Sequence, residues 1–347
     1  MVSLVSYSIH SSISCFHGIL LPLAMSFEVR SAEGESHRGC FALHNLPPST
    51  LILSASPLVT APCFTLDRRF PSHCCLCWKT LPKKFLCQKC HMEAYCESCR
   101  DSSHHLLTCH YLEKLFILQD NLDEDNDIIT FTHLCINLLI LHVNGLIPLD
   151  ALYDLCQLSI DQLPPEQFTS LQSCIQLITQ IIPKNILDNA ESLVQDIFLR
   201  EICNGFCFWD TSYEKYAQAI IPTASYFNHS CYPNAFKMNV DGKVLIYSLR
   251  EIAEGEEISI SYVPHDYDQT TRLEILSTYF GFACRCIRCQ QLDDFNASQI
   301  EDVKAFEMNV VHHGCGGVYH HVMEESQSIN PSRYGVCSIC HSQKTLE

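Results

Sequence analysis

Asn228-His229-Ser230-Cys231-Tyr232-Pro233-Asn234, followed by Gly255-Glu256-Glu257-Ile258-Ser259-Ile260-Ser261-Tyr262, decides how this chain is read. Taken alone, the second segment reads as a glycine turn running into a short strand that ends in an exposed tyrosine. Downstream, Cys284-Arg285-Cys286-Ile287-Arg288-Cys289 offers three thiolates, one short of a closed zinc site. Cys231 can supply the fourth; the other reading makes it a buried free thiol.

Upstream lies a denser cluster. Cys74-x2-Cys77, Cys87-x2-Cys90, Cys96-x2-Cys99 and His105-x3-Cys109 give seven sulfurs and one imidazole, the complement of two tetrahedral zinc ions. A two-residue gap lets both thiolates of a turn face one ion. Cys75 and His104 are adjacent spares. So few apolar residues remain between 74 and 109 that metal must stand in for a core.

The 347 residues carry 23 cysteines and 18 histidines. That usage suits reduced, metal-bound thiols rather than a short secreted disulfide scaffold, and leaves nucleus and cytoplasm open as locations. A formal charge of −17 argues against direct nucleic-acid binding through phosphates and suits a cationic partner such as a basic protein tail. No membrane association is expected, since no 18-residue stretch reads as uniformly apolar. Residues 1–24 contain no Lys or Arg and are read as a leader outside the domains.

The segments FEVR, RGCFAL and LILSASPLV predict strands over 25–70. The stretches ITFTHLCINLLILHV, FTSLQSCIQLITQII and NAESLVQDIFLR predict a helical insert over 110–200. Strands return over 201–265 with KVLIYSL and EEISISY, and RLEILSTYF predicts a helix leading into the cluster at 266–290. The β elements therefore flank an inserted zinc module and a helical block. A tail over 291–347 offers His312, Cys315, Cys337 and Cys340 as ligands of a fourth, ribbon-like zinc site, with His313 and His341 as rivals.

The two segments quoted first resemble the SET domain of protein-lysine methyltransferases, where such segments thread together beside the cofactor. The cluster at 74–109 resembles the MYND zinc finger. That resemblance implies one ion on Cys74, Cys77, Cys96 and Cys99 and another on Cys87, Cys90, His105 and Cys109. The third pair and the stretch to the histidine are shorter than the family spacing, which bears on Cys99. Closure of Cys284, Cys286 and Cys289 by Cys231 matches a post-SET site. Together these features resemble the SET and MYND domain family, in its shorter, fungal-like form. The implied fold class is mixed α+β: a SET-type β fold interrupted by a MYND finger and a helical insert, with a post-SET zinc cluster and a small C-terminal unit.

The resemblance implies S-adenosylmethionine as cofactor, with three structural zinc ions and room for a fourth. Asn228 and His229 then contact the cofactor, Phe282 lies against its adenine, and Asn204 matches a polar position nearby. Of the family's glycine-rich turn only Gly39 clearly fits, with His37 in place of glycine, and Arg38 is the candidate partner of the cofactor carboxylate. Tyr262 is the implied catalytic residue and also borders the cofactor. Phe206 matches a wall of the lysine channel and reads equally well as core, and Tyr279 or Phe280 completes that channel. The implied activity is protein-lysine N-methylation of histone or non-histone substrates. The competing reading is a catalytically weak scaffold that recruits partners, proline-containing peptides among them, through the MYND finger.

Overall fold

The computed structural model describes residues 26–31, 38–63, 71–81, 83–101, 104–119, 126–209, 215–240, 242–265 and 267–290, together with four strands beyond residue 310. In chain order the first strands are β1 (Phe27–Ser31), β2 (Arg38–Ala42), β3 (Leu51–Ala55), β4 (Val59–Pro62), β5 (Phe85–Leu86) and β6 (Ala94–Tyr95). After the helices come β7 (Gly205–Trp209), β8 (Lys215–Ile220), β9 (Ala235–Val240), β10 (Lys243–Ser248) and β11 (Glu257–Ile258). The tail adds β12 (Val311–His312), β13 (Gly317–Val322), β14 (Tyr334–Cys337) and β15 (Gln343–Thr345). The helices are α1 (His104–Gln119), α2 (Asn126–Val143), α3 (Asp150–Tyr153), α4 (Pro165–Ile181), α5 (Ala190–Asn204), α6 (Gln269–Phe280) and α7 (Ile287–Gln290).

Three small antiparallel sheets, ordered β1-β2-β11, β3-β10-β9 and β4-β8-β7, enclose one core. Each joins strands from before and after the helical block, so the fold closes only when both halves are present. Alternation along β10 shows how the core is shared. Val244 and Ile246 face the main β core, while Leu245 and Tyr247 face a second cluster with Phe236. Both faces of the strand are covered, which is why its sequence is apolar without interruption.

The helices form a separate core. Helix α2 is 18 residues long and apolar enough by composition to cross a membrane, yet two thirds of it is buried inside the protein. It packs against β4, α1 and α4. Leu134, Leu138 and Leu139 are fully buried, each worth about 1.5–3 kcal/mol, so apolar residues on every side mark a core helix here. Helix α4 starts with Pro165 at its first position, where the missing N–H costs nothing. Asp268 caps α6 by accepting from the Thr271 N–H at 2.9 Å, and Gly281, with φ of 73°, ends it in the left-handed conformation.

The cysteine-rich module at 74–109 has little core of its own and docks through Trp78. That ring is buried with Phe208 and Tyr216 in the main β core and abuts Gly242 in the β9–β10 turn. A Cβ at Gly242 would lie 2.8 Å from Trp78 Cγ. Helix α1 begins at His104, so His105 and Cys109 stand on a helix that continues into the helical core. In the tail, β12 to β15 form one antiparallel sheet. His312 and Cys337 fall on its strands, and Cys315 and Cys340 lie outside the described residues.

Candidate functional site

The segment 228–234 and the segment 257–262 cross and bind each other. Ser230 N–H donates to Ile260 O at 2.9 Å, Ile260 N–H to Asn228 O at 3.0 Å, and Ala235 N–H to Ser259 O at 3.0 Å. Asn234, 2% exposed, locks the crossing: it donates to Glu257 O at 2.8 Å and accepts from Ser259 N–H at 2.8 Å.

Beside this crossing opens a cavity of about 800 Å³, a size suited to a cofactor. Asn228, His229, Glu257, Tyr262, Phe280 and Phe282 lie on its wall, with Asn204 and Cys203 at the end of α5. The Asn228 amide donates to Arg38 O at 3.0 Å and to Glu257 Oε1 at 2.7 Å. Gly39 lets the Asn228 amide lie close: a Cβ at position 39 would stand 2.8 Å from Asn228 Nδ2 and push that side chain away. His229 accepts from Tyr262 N–H at Nδ1, 2.9 Å away, so its proton sits on Nε2, 3.2 Å from Cys231 Sγ. Burial lowers the pKa of this imidazole to about 4. Tyr262 packs against Phe280 at 5.0 Å between ring centroids and edge-on against Phe282 at 6.4 Å. Its hydroxyl donates to Phe227 O at 2.8 Å, and burial pushes its pKa up.

The residues expected from sequence divide here. Asn228, His229, Tyr262, Phe280, Phe282 and Asn204 meet at the cavity. The Asn204 side-chain N–H groups are engaged by Cys156 O and Arg200 O, each at 2.7 Å, so any ligand meets its other atoms. Arg38 offers its backbone oxygen to Asn228 but turns its side chain to Asp154. Its guanidinium is held by both Asp154 carboxylate oxygens, at 3.0 and 2.9 Å, and does not line the cavity. Tyr279 is 48% exposed, and Phe280 takes the place beside Tyr262. Phe206 is 7% exposed in the β core, with the Lys237 ammonium 5.2 Å from its ring centroid. Glu257, although inside one of the segments quoted first, draws no role of its own from the sequence, and nothing in the spacing around Lys237 marks that residue. The turn residues 32–37, His37 included, lie outside the described residues.

Three groups of four ligand atoms converge, each within 4.8 Å: Cys74, Cys77, Cys96 and Cys99; Cys87, Cys90, His105 and Cys109; Cys231, Cys284, Cys286 and Cys289. A tetrahedral zinc with Zn–S bonds of about 2.3 Å sets its sulfurs roughly 3.8 Å apart. The pairs Cys77–Cys96 at 3.8 Å, Cys87–Cys109 at 3.6 Å, Cys231–Cys284 at 3.9 Å and Cys231–Cys289 at 3.6 Å match that edge. His105 Nε2 lies 3.5 Å from Cys90 Sγ. The donor sets therefore fit three zinc ions. Cys75 is left out of the first group and takes the Ala94 N–H at 3.4 Å. The third group would carry two negative charges around zinc, and Arg272, 2% exposed, stands beside it with Arg288, which donates to Cys231 O at 3.3 Å.

The family model for the SET domain matches residues 37–263, a span that takes in the crossing segments and most of the cavity wall. The chain belongs to the SET domain family. Within this SET domain the match runs across the cysteine-rich module and the helical block, both of which are insertions between its β halves. Among similar proteins, one Dictyostelium discoideum SET and MYND domain-containing protein, DDB_G0273591, is 29% identical over 44% of this chain and 38% of its own length. A second, DDB_G0273589, is 23% identical over 78% of this chain and 81% of its own. The mouse histone-lysine N-methyltransferase SMYD3 is 33% identical over 28% of this chain and 23% of its own. The chain thus spans well under two thirds of the first and third of these relatives.

Proposed function

We propose that this chain is an S-adenosylmethionine-dependent protein-lysine N-methyltransferase. The observation that carries the reading is the convergence, on one cavity built by the two crossing segments, of Asn228, His229, Glu257, Phe282 and Tyr262. The names of similar SET proteins point the same way.

The cofactor, when bound, supplies an electrophilic methyl group on a positively charged sulfur. Glu257 gives the cavity a negative charge that favours such a cation, and Phe282 offers a flat face to a base. Tyr262 lies between the cavity and the Phe206 face, where its phenol orients an incoming amine. A lysine amine ordinarily holds its proton to a pKa of about 10.4, and the apolar ring wall of Phe206, Tyr262 and Phe280 disfavours the ammonium by desolvation. Alignment and exclusion of water then do most of what a displacement at carbon needs.

In this reading the module at 74–109 is a MYND finger that presents a face to proline-containing peptides, and the Cys231 group is a post-SET zinc site. The substrate is a protein carrying a target lysine, in the nucleus, the cytoplasm or both, where thiolate zinc sites stay reduced. A fourth zinc on the tail belongs to the same proposal.

Calorimetry with zinc-loaded protein tests it. S-adenosylmethionine should bind saturably, and binding should vanish in Asn228→Ala and after chelation. Tyr262→Phe should bind the cofactor yet lose methyl transfer to protein lysines by roughly two orders of magnitude. A folded, zinc-replete chain that binds no S-adenosylmethionine overturns the proposal.

A further inference from the structure

Lys237 lies in the middle of β9 and pairs with Ile246 of β10. Phe236 and Met238 on either side of it face the second apolar cluster, so strand alternation sends Lys237 to the opposite face with Ala235. There its ammonium stands 5.2 Å from the Phe206 ring centroid and 6.0 Å from that of Tyr262. Tyr262 is thus shared: it lines the cavity with Phe280 and Phe282, and it also borders this lysine.

A cation within about 6 Å of aromatic rings is attracted by their faces. Among the described residues Lys237 forms no ion pair with a carboxylate. Lys237 is exposed along its side chain, and only where the ammonium meets the protein does desolvation lower its pKa, partly offset by the nearby Cys207 thiol. An amine within reach of the Phe206 and Tyr262 rings, with no carboxylate fixing its proton, stands where a methyl acceptor is needed.

We propose that Lys237 is an internal methyl acceptor, modified in cis by the chain's own active site. The inference rests on the methyltransferase reading above. The ammonium first loses a proton to solvent. The amine lone pair then forms the N–C bond to the sulfonium methyl as the C–S bond breaks, and that electron pair stays on sulfur as a thioether. The charge on sulfur is neutralised, and the new methylammonium carries it. Before methylation, the same side chain competes with an incoming lysine for the Phe206 and Tyr262 walls.

The test uses the zinc-loaded full chain and S-adenosylmethionine with no other protein, followed by intact mass and peptide mapping, with cofactor binding measured calorimetrically on the same sample. The expected result is the added mass of methyl on Lys237, at a rate constant unchanged on dilution. Lys237→Arg should remove that mass while cofactor binding persists, and Tyr262→Phe should lose it with binding intact. Cofactor binding with Lys237 unmodified, or with methyl on other lysines only, overturns this inference and leaves the methyltransferase reading standing. A rate that rises with protein concentration overturns the intramolecular route. Absence of cofactor binding overturns both.

Discussion

Replacing Glu93 by glutamine is expected to weaken both the fold and the zinc site built on His105. Glu93 is 6% exposed. Its Oε2 lies 2.6 Å from His105 Nδ1 and also accepts from the Tyr95 hydroxyl, while Oε1 lies 3.0 Å from Nε2 of the fully buried His133 on α2. Burial alone would raise the pKa of this carboxyl, but the two histidines outweigh it and hold the group well below the ordinary carboxylate range. His105 offers Nε2 to the metal and Nδ1 to the carboxylate, the arrangement by which a carboxylate fixes a ligand's ring and raises its basicity.

A glutamine presents one oxygen where three donors converge, so at least one N–H or O–H is left facing another donor. Breaking a buried charged network in this way costs about 3–5 kcal/mol, and loss of such a supporting carboxylate lowers metal affinity roughly 10- to 100-fold. Urea unfolding of zinc-loaded protein reads the first quantity, and competition with a chromophoric chelator reads the second. His133→Ala should lose stability as well, and the double variant should fall short of the sum because both residues serve one network. A Glu93→Gln protein within about 0.5 kcal/mol of the parent, the range of ordinary surface changes, with unchanged zinc affinity, would refute the reasoning.

Gly242→Ala should destabilise by about 1–3 kcal/mol, since the residue sits at φ 70° with Trp78 against it; a blue or red shift in tryptophan emission would report the displaced ring. Cys231→Ser should lower the zinc content from three ions to two among the three described groups, measured by atomic emission. Arg38 and Tyr226 hydrogen bonds hold Asp154 below its ordinary pKa of 3.8, so its contribution is present above that pH and fades as pH falls through it toward the lower folded value. With its side chain 56% exposed, the effect is under about 1 kcal/mol. The stability gap between parent and Asp154→Asn should therefore narrow below about pH 4, a comparison that cancels the metal loss both proteins share.

The metal groups were legible because ligand chemistry is local: a Cys-x2-Cys turn declares itself wherever it falls in a chain. The long helices were legible because their apolar residues run through whole turns, as in α2 and α4. What escaped depends on partners distant in sequence. Arg38 is claimed by Asp154, 116 positions away, and no spacing rule announces that. Tyr279 and Phe280 differ by one position, which on a helix is a rotation of about 100°, so the end of α6 decides which ring reaches Tyr262. Lys237 reads as an ordinary polar residue of a strand until β7 and Tyr262 are placed beside it. Glu93 stands midway between Cys90 and Cys96 and shows its role only when α2 delivers His133.

The third zinc group bears on the cavity more directly than a remote staple would. Nδ1 of His229 accepts from the backbone of Tyr262, so the proton must sit on Nε2, and Nε2 meets Cys231. A zinc-bound thiolate is a good acceptor for that proton. Zinc at Cys231, Cys284, Cys286 and Cys289 would thus support the His229 tautomer that the Tyr262 N–H already requires, and with it the position of the Tyr262 backbone. Cys231→Ser, which touches this group alone, should therefore weaken cofactor binding while the helical core, whose cluster includes none of these four ligands, still gives its full circular-dichroism signal.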